Sequence, residues 1–129
     1  MRKISSAIIP LSLLWAGTAF AAGDPAAGQA SFKVCQACHA IGPGAVNKVG
    51  PVLNGVVGRA AGSAEGFNYS AAMKSSGLTW DEATLTKYLT SPRDVVKGNK
   101  MAFAGLKKPE DVANVIAYLN SFNADGSKK

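Results

Sequence analysis

Cys35-Gln36-Ala37-Cys38-His39 holds both cysteines and the only histidine of the 129 residues. Two thiols three positions apart can each bond a vinyl group of one porphyrin, and the histidine that follows can reach the iron from one side. C-x-x-C-H is the spacing of a c-type haem attachment site. Cys35 and Cys38 are therefore expected to form thioethers to a single haem c, with His39 as the proximal ligand. Three other chemistries use part of this pattern. A thioredoxin-like pair needs the motif at a helix N-terminus after a strand in a βαβ unit, and no such pattern surrounds it. A zinc site needs about four ligands, and no second Cys or His cluster exists. A disulfide is compatible with an oxidising compartment, but cysteines this close would close a very small, strained loop.

Histidine content limits the ligand on the other face of the iron. Bis-histidine ligation within one chain is impossible, which leaves methionine, lysine, tyrosine or no ligand. Met1 opens a segment with the form of a secretory signal: basic Arg2-Lys3, a mostly apolar Ala7–Ala16, and Ala19-Phe20-Ala21 of the A-x-A cleavage type. The apolar run is too short and too interrupted to span a membrane. Residues 1–21 read as a signal peptide, against an uncut anchor, and residues 22–129 as the single domain. Met73 and Met101 then remain. Met73 falls on a predicted helix, where methionine is ordinarily core filler. Met101 falls in a loop, from which a thioether can reach a metal without distorting a helix. Loop placement favours Met101 and leaves Met73 as its competitor. His/Met ligation raises the reduction potential, suits electron transfer, and leaves no open site for substrate.

Cleavage after Ala21 leaves 108 residues, a single small domain. A core of that size gains from a covalent cofactor as a staple. The net charge of +6 falls to +4 when Arg2 and Lys3 leave with the signal. A mildly basic protein suits an acidic partner or a membrane surface. Nucleic acid is a poor match, because no basic block interleaves with aromatics.

The elements that must position the motif read as all-α. Asp24-Pro25 has the form of a helix start, and residues 25–38 are predicted helical, with Phe32 inward. Residues 41–66 are rich in Gly and Pro and predict a long loop. Such a loop inside a compact domain usually serves a site, and Val49, Leu53, Val56 and Val57 are its candidates for lining a haem. Tyr69–Lys74 predicts a short helix ended by Gly77. Thr79 and Glu82 have the spacing of a capping box, predicting a helix to Thr90 that buries Leu85, Tyr88 and Leu89 and stops at Ser91-Pro92. Residues 91–108 predict a second loop. Pro109-Glu110-Asp111 opens a last helix whose Val112, Val115, Ile116 and Leu119 form an i, i+3, i+4, i+7 stripe facing the first helix. The polar tail from Asn123 to Lys129 is expected to fray.

Taken together the chain resembles the class I cytochromes c, of the mitochondrial-like and short bacterial type. The resemblance runs from about Gly23 to Asn120. It is carried by the pentapeptide, Gly50-Pro51, Gly55 to Arg59, Gly66-Phe67-Asn68-Tyr69, Thr79-Trp80, Tyr88-Leu89, Lys100-Met101-Ala102-Phe103-Ala104-Gly105 and Ala117-Tyr118-Leu119, in matching order and spacing. It implies a small cytochrome c fold of helices and long loops wrapped around the haem, with Met101 as sixth ligand. The carbonyl of Pro51 would hold the second ring nitrogen of His39. Arg59, Tyr69 and Trp80 would surround a buried propionate, which is costly to bury unpaired. Tyr88 would sit near the Met101 sulfur, Phe103 would cover the haem edge, and Gly28, Phe32 and Tyr118 would join the first and last helices. Without the resemblance, core packing accounts for each aromatic and a solvated charge for Arg59. Two departures stand out: Met73 where the family often has asparagine, and Asn99 where it often has threonine.

The expected function is that of a periplasmic one-electron carrier, not an enzyme. By resemblance its partners are membrane redox complexes: a quinol–cytochrome c reductase as donor, and an oxidase, reaction centre or reductase as acceptor. The expected carrier is a monomer with no small-molecule substrate. Lys33, Lys48, Lys97, Lys100, Lys107 and Lys108 flank the haem segments and could form a ring that steers acidic proteins. A haem peroxidase or gas sensor with a labile sixth ligand is the alternative, and a thiol oxidoreductase a third class.

Overall fold

The computed structural model describes residues 23–129. The signal-peptide reading of residues 1–21 lies outside them. Among the described residues five α-helices follow in order: α1 (Pro25–Ser31), α2 (Ala71–Lys74), α3 (Glu82–Thr90), α4 (Pro92–Val95) and α5 (Pro109–Asn120). Only two isolated β-bridges occur among the described residues, so the fold is all-α, as its sequence predicts. No helix among them is long and apolar enough to cross a membrane.

α1 starts where Asp24 and Pro25 direct it. The Asp24 carboxylate accepts the Ala26 N–H at 2.9 Å, and its own N–H donates to Asn114 Oδ1 on α5 at 2.8 Å. The helix is shorter than predicted. After Ser31 it tightens into a 3₁₀ turn, Phe32–Val34, and then into turns that carry the pentapeptide. Val34, the two cysteines and His39 are weak helix formers, and the His39 ring is held elsewhere. α1 crosses α5 at Gly28, where any Cβ would collide with the Asn114 carbonyl. Phe32 closes the contact against the Tyr118 ring, centroids 5.2 Å apart. The predicted α5 stripe of Val112, Val115, Ile116 and Leu119 is buried. Burying each such side chain contributes roughly 1.5–3 kcal/mol.

Three further boundaries differ from the sequence reading. Thr79 caps no helix. Residues 78–80 are extended and pair with 58–61, Trp80 N–H donating to the Arg59 carbonyl at 2.9 Å and Gly58 N–H to the Trp80 carbonyl at 2.7 Å. That pairing buries Trp80 and delays the helix, so Asp81 caps α3 by accepting the Thr84 N–H at 2.7 Å. Pro92 ends α3 but also starts α4, because a proline is accepted at a first helical position. The tail is packed, not frayed. Phe122 is buried against Tyr118, Lys128 Nζ lies 4.3 Å from the Phe122 ring centre, and the Lys129 N–H donates to the Ser121 carbonyl at 2.8 Å. A buried aromatic after α5 needs that hook to cover it.

Candidate functional site

The long loops, α2, α3 and α5 enclose a cavity of about 270 Å³. All ten residues singled out from sequence line it: Cys35, Cys38, His39, Pro51, Arg59, Tyr69, Trp80, Tyr88, Met101 and Phe103. Val49, Leu53 and Val56 line it as expected, whereas Val57 packs against the neighbouring core. Met73, Leu85, Val115 and Leu119 complete an apolar wall, so two residues of the α5 stripe serve the cavity as well as the helix contact.

Cys35 and Cys38 are brought together by the turn after the 3₁₀ segment, where Cys38 N–H donates to the Cys35 carbonyl at 3.1 Å. Both are half-buried. Burial, with a smaller push from Cys38, raises the Cys35 pKa. Neither cysteine stands at the N-terminus of a helix that follows a strand, the setting a thioredoxin-like pair requires.

His39 Nδ1 lies 2.7 Å from the Pro51 carbonyl. A carbonyl only accepts, so Nδ1 carries the proton and the Nε2 lone pair is free to bind a metal. Burial lowers the histidine's pKa against the opposing pull of that hydrogen bond, with smaller lowering effects from Arg59 and Lys48. The ring is thus held neutral and oriented. Gly50 lies against it so closely that a Cβ there would overlap the imidazole.

Met101 is half-buried, and the Tyr88 O–H donates to its sulfur at 3.9 Å. Burial pushes the Tyr88 pKa up to about 12, which keeps this donor protonated. Trp80 packs on Tyr88 with ring centres 4.6 Å apart.

Arg59 is held by backbone carbonyls, its Nη1 donating to Val52 at 3.1 Å and to Asn54 at 3.3 Å. Its Nε is buried and has no acceptor among the described residues. Burial lowers the Arg59 pKa, with Tyr69 pulling the other way. Tyr69 accepts the Ala64 N–H at 2.9 Å, leaving its own hydroxyl proton to donate.

Sequence reasoning marked Asn99 as a departure bearing on the propionate hydrogen-bond network, not as a partner of the Met101 backbone. The structure puts its side chain at the root of the Met101 loop, with three hydrogen bonds. The sequence Gly98-Asn99-Lys100 signals a turn but not which carbonyls the amide would reach.

Residues 25–123 match the Cytochrome c family. Cytochrome c2 of Rhodomicrobium vannielii is 58% identical over 119 residues, covering 92% of this chain and 95% of that protein. Cytochrome c2 of Blastochloris viridis is 52% identical over 130 residues and covers all of both chains. Among solved structures, cytochrome c2 from Rhodospirillum centenum superposes with a TM-score of 0.75 at 40% identity, covering 78% of this chain and 99% of that one. The chain belongs to the cytochrome c family.

Membership brings haem c, attached covalently through Cys35 and Cys38. The cavity fits that group. Its wall is apolar apart from a few donors, its lining includes no Asp or Glu, and the buried Arg59 Nε lacks an acidic partner that a propionate would supply. The protein is an electron carrier of the cytochrome c type.

Proposed function

We propose that the chain is a periplasmic carrier whose haem iron is held by His39 and Met101. The supporting observation is that two neutral lone-pair donors meet in one apolar cavity, each fixed by a dedicated partner: His39 by the Pro51 carbonyl and Met101 by the Tyr88 hydroxyl. When bound, the haem supplies a one-electron ferrous–ferric couple whose potential His/Met ligation raises. The residues of the chain do the rest. Cys35 and Cys38 tether the group, Arg59, Tyr69 and Trp80 offer donors to a propionate, and Phe103 and the apolar wall exclude water. A dry, fixed cage keeps both ligands in place when the charge changes, so little reorganisation accompanies transfer. With both His39 and Met101 holding the iron, no position would be left for a substrate, which suits carriage of electrons without turnover.

Residues 1–21 serve as the cleaved export signal in this reading, and residues 22–129 as the mature domain. Lys33, Lys48, Lys97, Lys100, Lys107 and Lys108 are all exposed. They guide acidic redox partners, a quinol–cytochrome c reductase on one side and an oxidase, reaction centre or reductase on the other, into brief encounters weakened by salt.

Optical spectra of the exported holoprotein test the assignment. A low-spin c-type spectrum, an iron–thioether charge-transfer band in the ferric form, and no response to carbon monoxide are expected. Met101→Ala should lose the band and bind carbon monoxide. Carbon monoxide binding by the unaltered protein would instead favour a sensor or peroxidase with an open site.

A further inference from the structure

Residues 96–106 carry Met101 between two helices, and the loop is fastened at both ends. At its far end the Leu106 N–H donates to the Leu89 carbonyl at the close of α3, 2.7 Å. At its near end stands Asn99. Its Nδ2 donates to the Val96 carbonyl at 2.9 Å and to the Pro92 carbonyl of α4 at 3.1 Å. Its Oδ1 accepts the Met101 N–H at 2.8 Å. Between Lys100 and Gly105, Met101 N–H is the one backbone amide hydrogen-bonded to a described residue. The backbone of the proposed ligand is thus moored by a single bond, and that bond ends on the Asn99 side chain.

We propose that Asn99 is the positioning residue that sets how often the sixth iron position opens. The inference rests on Met101 being the ligand. An ordinary Asx turn uses only the side-chain oxygen, bonding the amide two residues on. Here both ends of the planar amide are engaged, one on Met101 and the other on carbonyls belonging to and following α4. Serine or threonine can accept the Met101 N–H but lacks the amide donor that reaches back to Pro92 and Val96. Aspartate keeps the acceptor but turns a carboxylate oxygen toward two carbonyls. No other side chain of similar size makes all three bonds. Asn99 itself lines the cavity with its amide held on the Pro92 and Val96 carbonyls, so withdrawing Met101 breaks either its own bond to Asn99 or the bonds that hold Asn99 to α4. Tyr88 on α3 restrains the sulfur separately, at a weaker 3.9 Å. Opening therefore has to break the Asn99 bonds, and their number sets its frequency.

The experiment uses the ferric holoprotein with imidazole as the incoming ligand. At saturating imidazole the observed rate reports loop opening, because the thioether must leave before the new ligand enters. Each lost hydrogen bond is worth about a fivefold factor, so Asn99→Ala should raise the limiting rate by about tenfold or more. Asn99→Ser, which can still take the Met101 N–H, should fall between Asn99→Ala and the unaltered protein. Asn54→Ala is the control. It loses two bonds to the Gly42 backbone, 2.7 and 2.9 Å, away from the loop, and should lower the melting temperature without speeding imidazole entry. Rates within about twofold of the unaltered protein in both Asn99 variants, or an equal rise in Asn54→Ala, would overturn the inference while leaving Met101 as ligand. Absence of the iron–thioether band from the unaltered ferric protein would remove the ligand assignment itself.

Discussion

Residues in the cavity act chiefly by fixing which lone pair or proton of a neighbour is available. The Pro51 carbonyl selects the His39 tautomer at 2.7 Å, and Tyr88 directs its proton at the Met101 sulfur. The Tyr88 phenol can do this across the ordinary pH range because burial holds its pKa up at about 12. Its contribution to the thioether is a single weak hydrogen bond, in the range of about 0.5–1.5 kcal/mol. Tyr88→Phe should therefore keep the fold and the proposed Met101 ligation while altering the balance between the two oxidation states. A hydrogen bond to sulfur withdraws electron density that ferric iron needs more than ferrous iron does. Its loss is expected to lower the reduction potential, by a modest amount consistent with that energy. Redox titration checks the sign, and a raised potential would contradict it.

Elements are where the sequence was partly opaque. Helix α3 shows why. Thr79 and Glu82 satisfy the spacing of a capping box, yet the cap is Asp81, because residues 78–80 are drawn into extended pairing with 58–61 and Trp80 is buried by it. A local cap pattern carries no information about a partner strand some twenty residues away. The tail misleads for a related reason: Phe122 lies one residue before the polar run, and its need for cover folds residues 123–129 back onto it. By contrast the α5 stripe and the Asp24-Pro25 start were legible, since their signals are contained within the element. The lining of the candidate site was legible for a third reason. Cys35, Cys38 and His39 are the chain's only cysteines and histidine, which leaves few assignments for them, while Met101 was set apart from Met73 by the family resemblance. The role of Asn99 was not legible, because its partners are backbone carbonyls. The Asp81 cap carries its own pH test. Its hydrogen bonds to Thr84, the backbone one foremost, depress its pKa in the folded state. As pH falls the unfolded chain takes up the proton first, so the cap's stabilisation is complete above the unfolded value and is lost as pH drops through the folded one. Asp81→Asn keeps an acceptor and does not titrate. The difference in melting temperature between the two proteins is expected to be constant above about pH 5 and to change only below it. Asp81→Ala should melt below both at neutral pH.

For the whole molecule, the cofactor is part of the core. The first and last helices of the described residues are joined, α1 against α5, but Met73, Leu85, Val115 and Leu119 also face the cavity between the helices and the loops. An unfilled apolar void of about 270 Å³ would cost roughly 6 kcal/mol at about 24 cal/mol per Å³. Total stabilities of small domains run from about 5 to 15 kcal/mol. A cost of that size consumes much or all of the stability, and Gly-rich loops have few contacts of their own to replace it. The void would add to it the cost of the buried Arg59 Nε left without an acceptor. The chain is therefore expected to fold as haem attachment completes it. In Cys35→Ser/Cys38→Ser, prepared without haem, helix content should fall, a dye that binds exposed apolar surface should bind, and cooperative melting should disappear. Helix content is expected to return in part when free haem is added, since the cavity and His39 remain. A haem-free variant that melts as sharply and at the same temperature as the holoprotein would mean that the loops can close the cavity with side chains alone. The long Gly- and Pro-rich segment would then owe its course to its own packing, not to the group it surrounds.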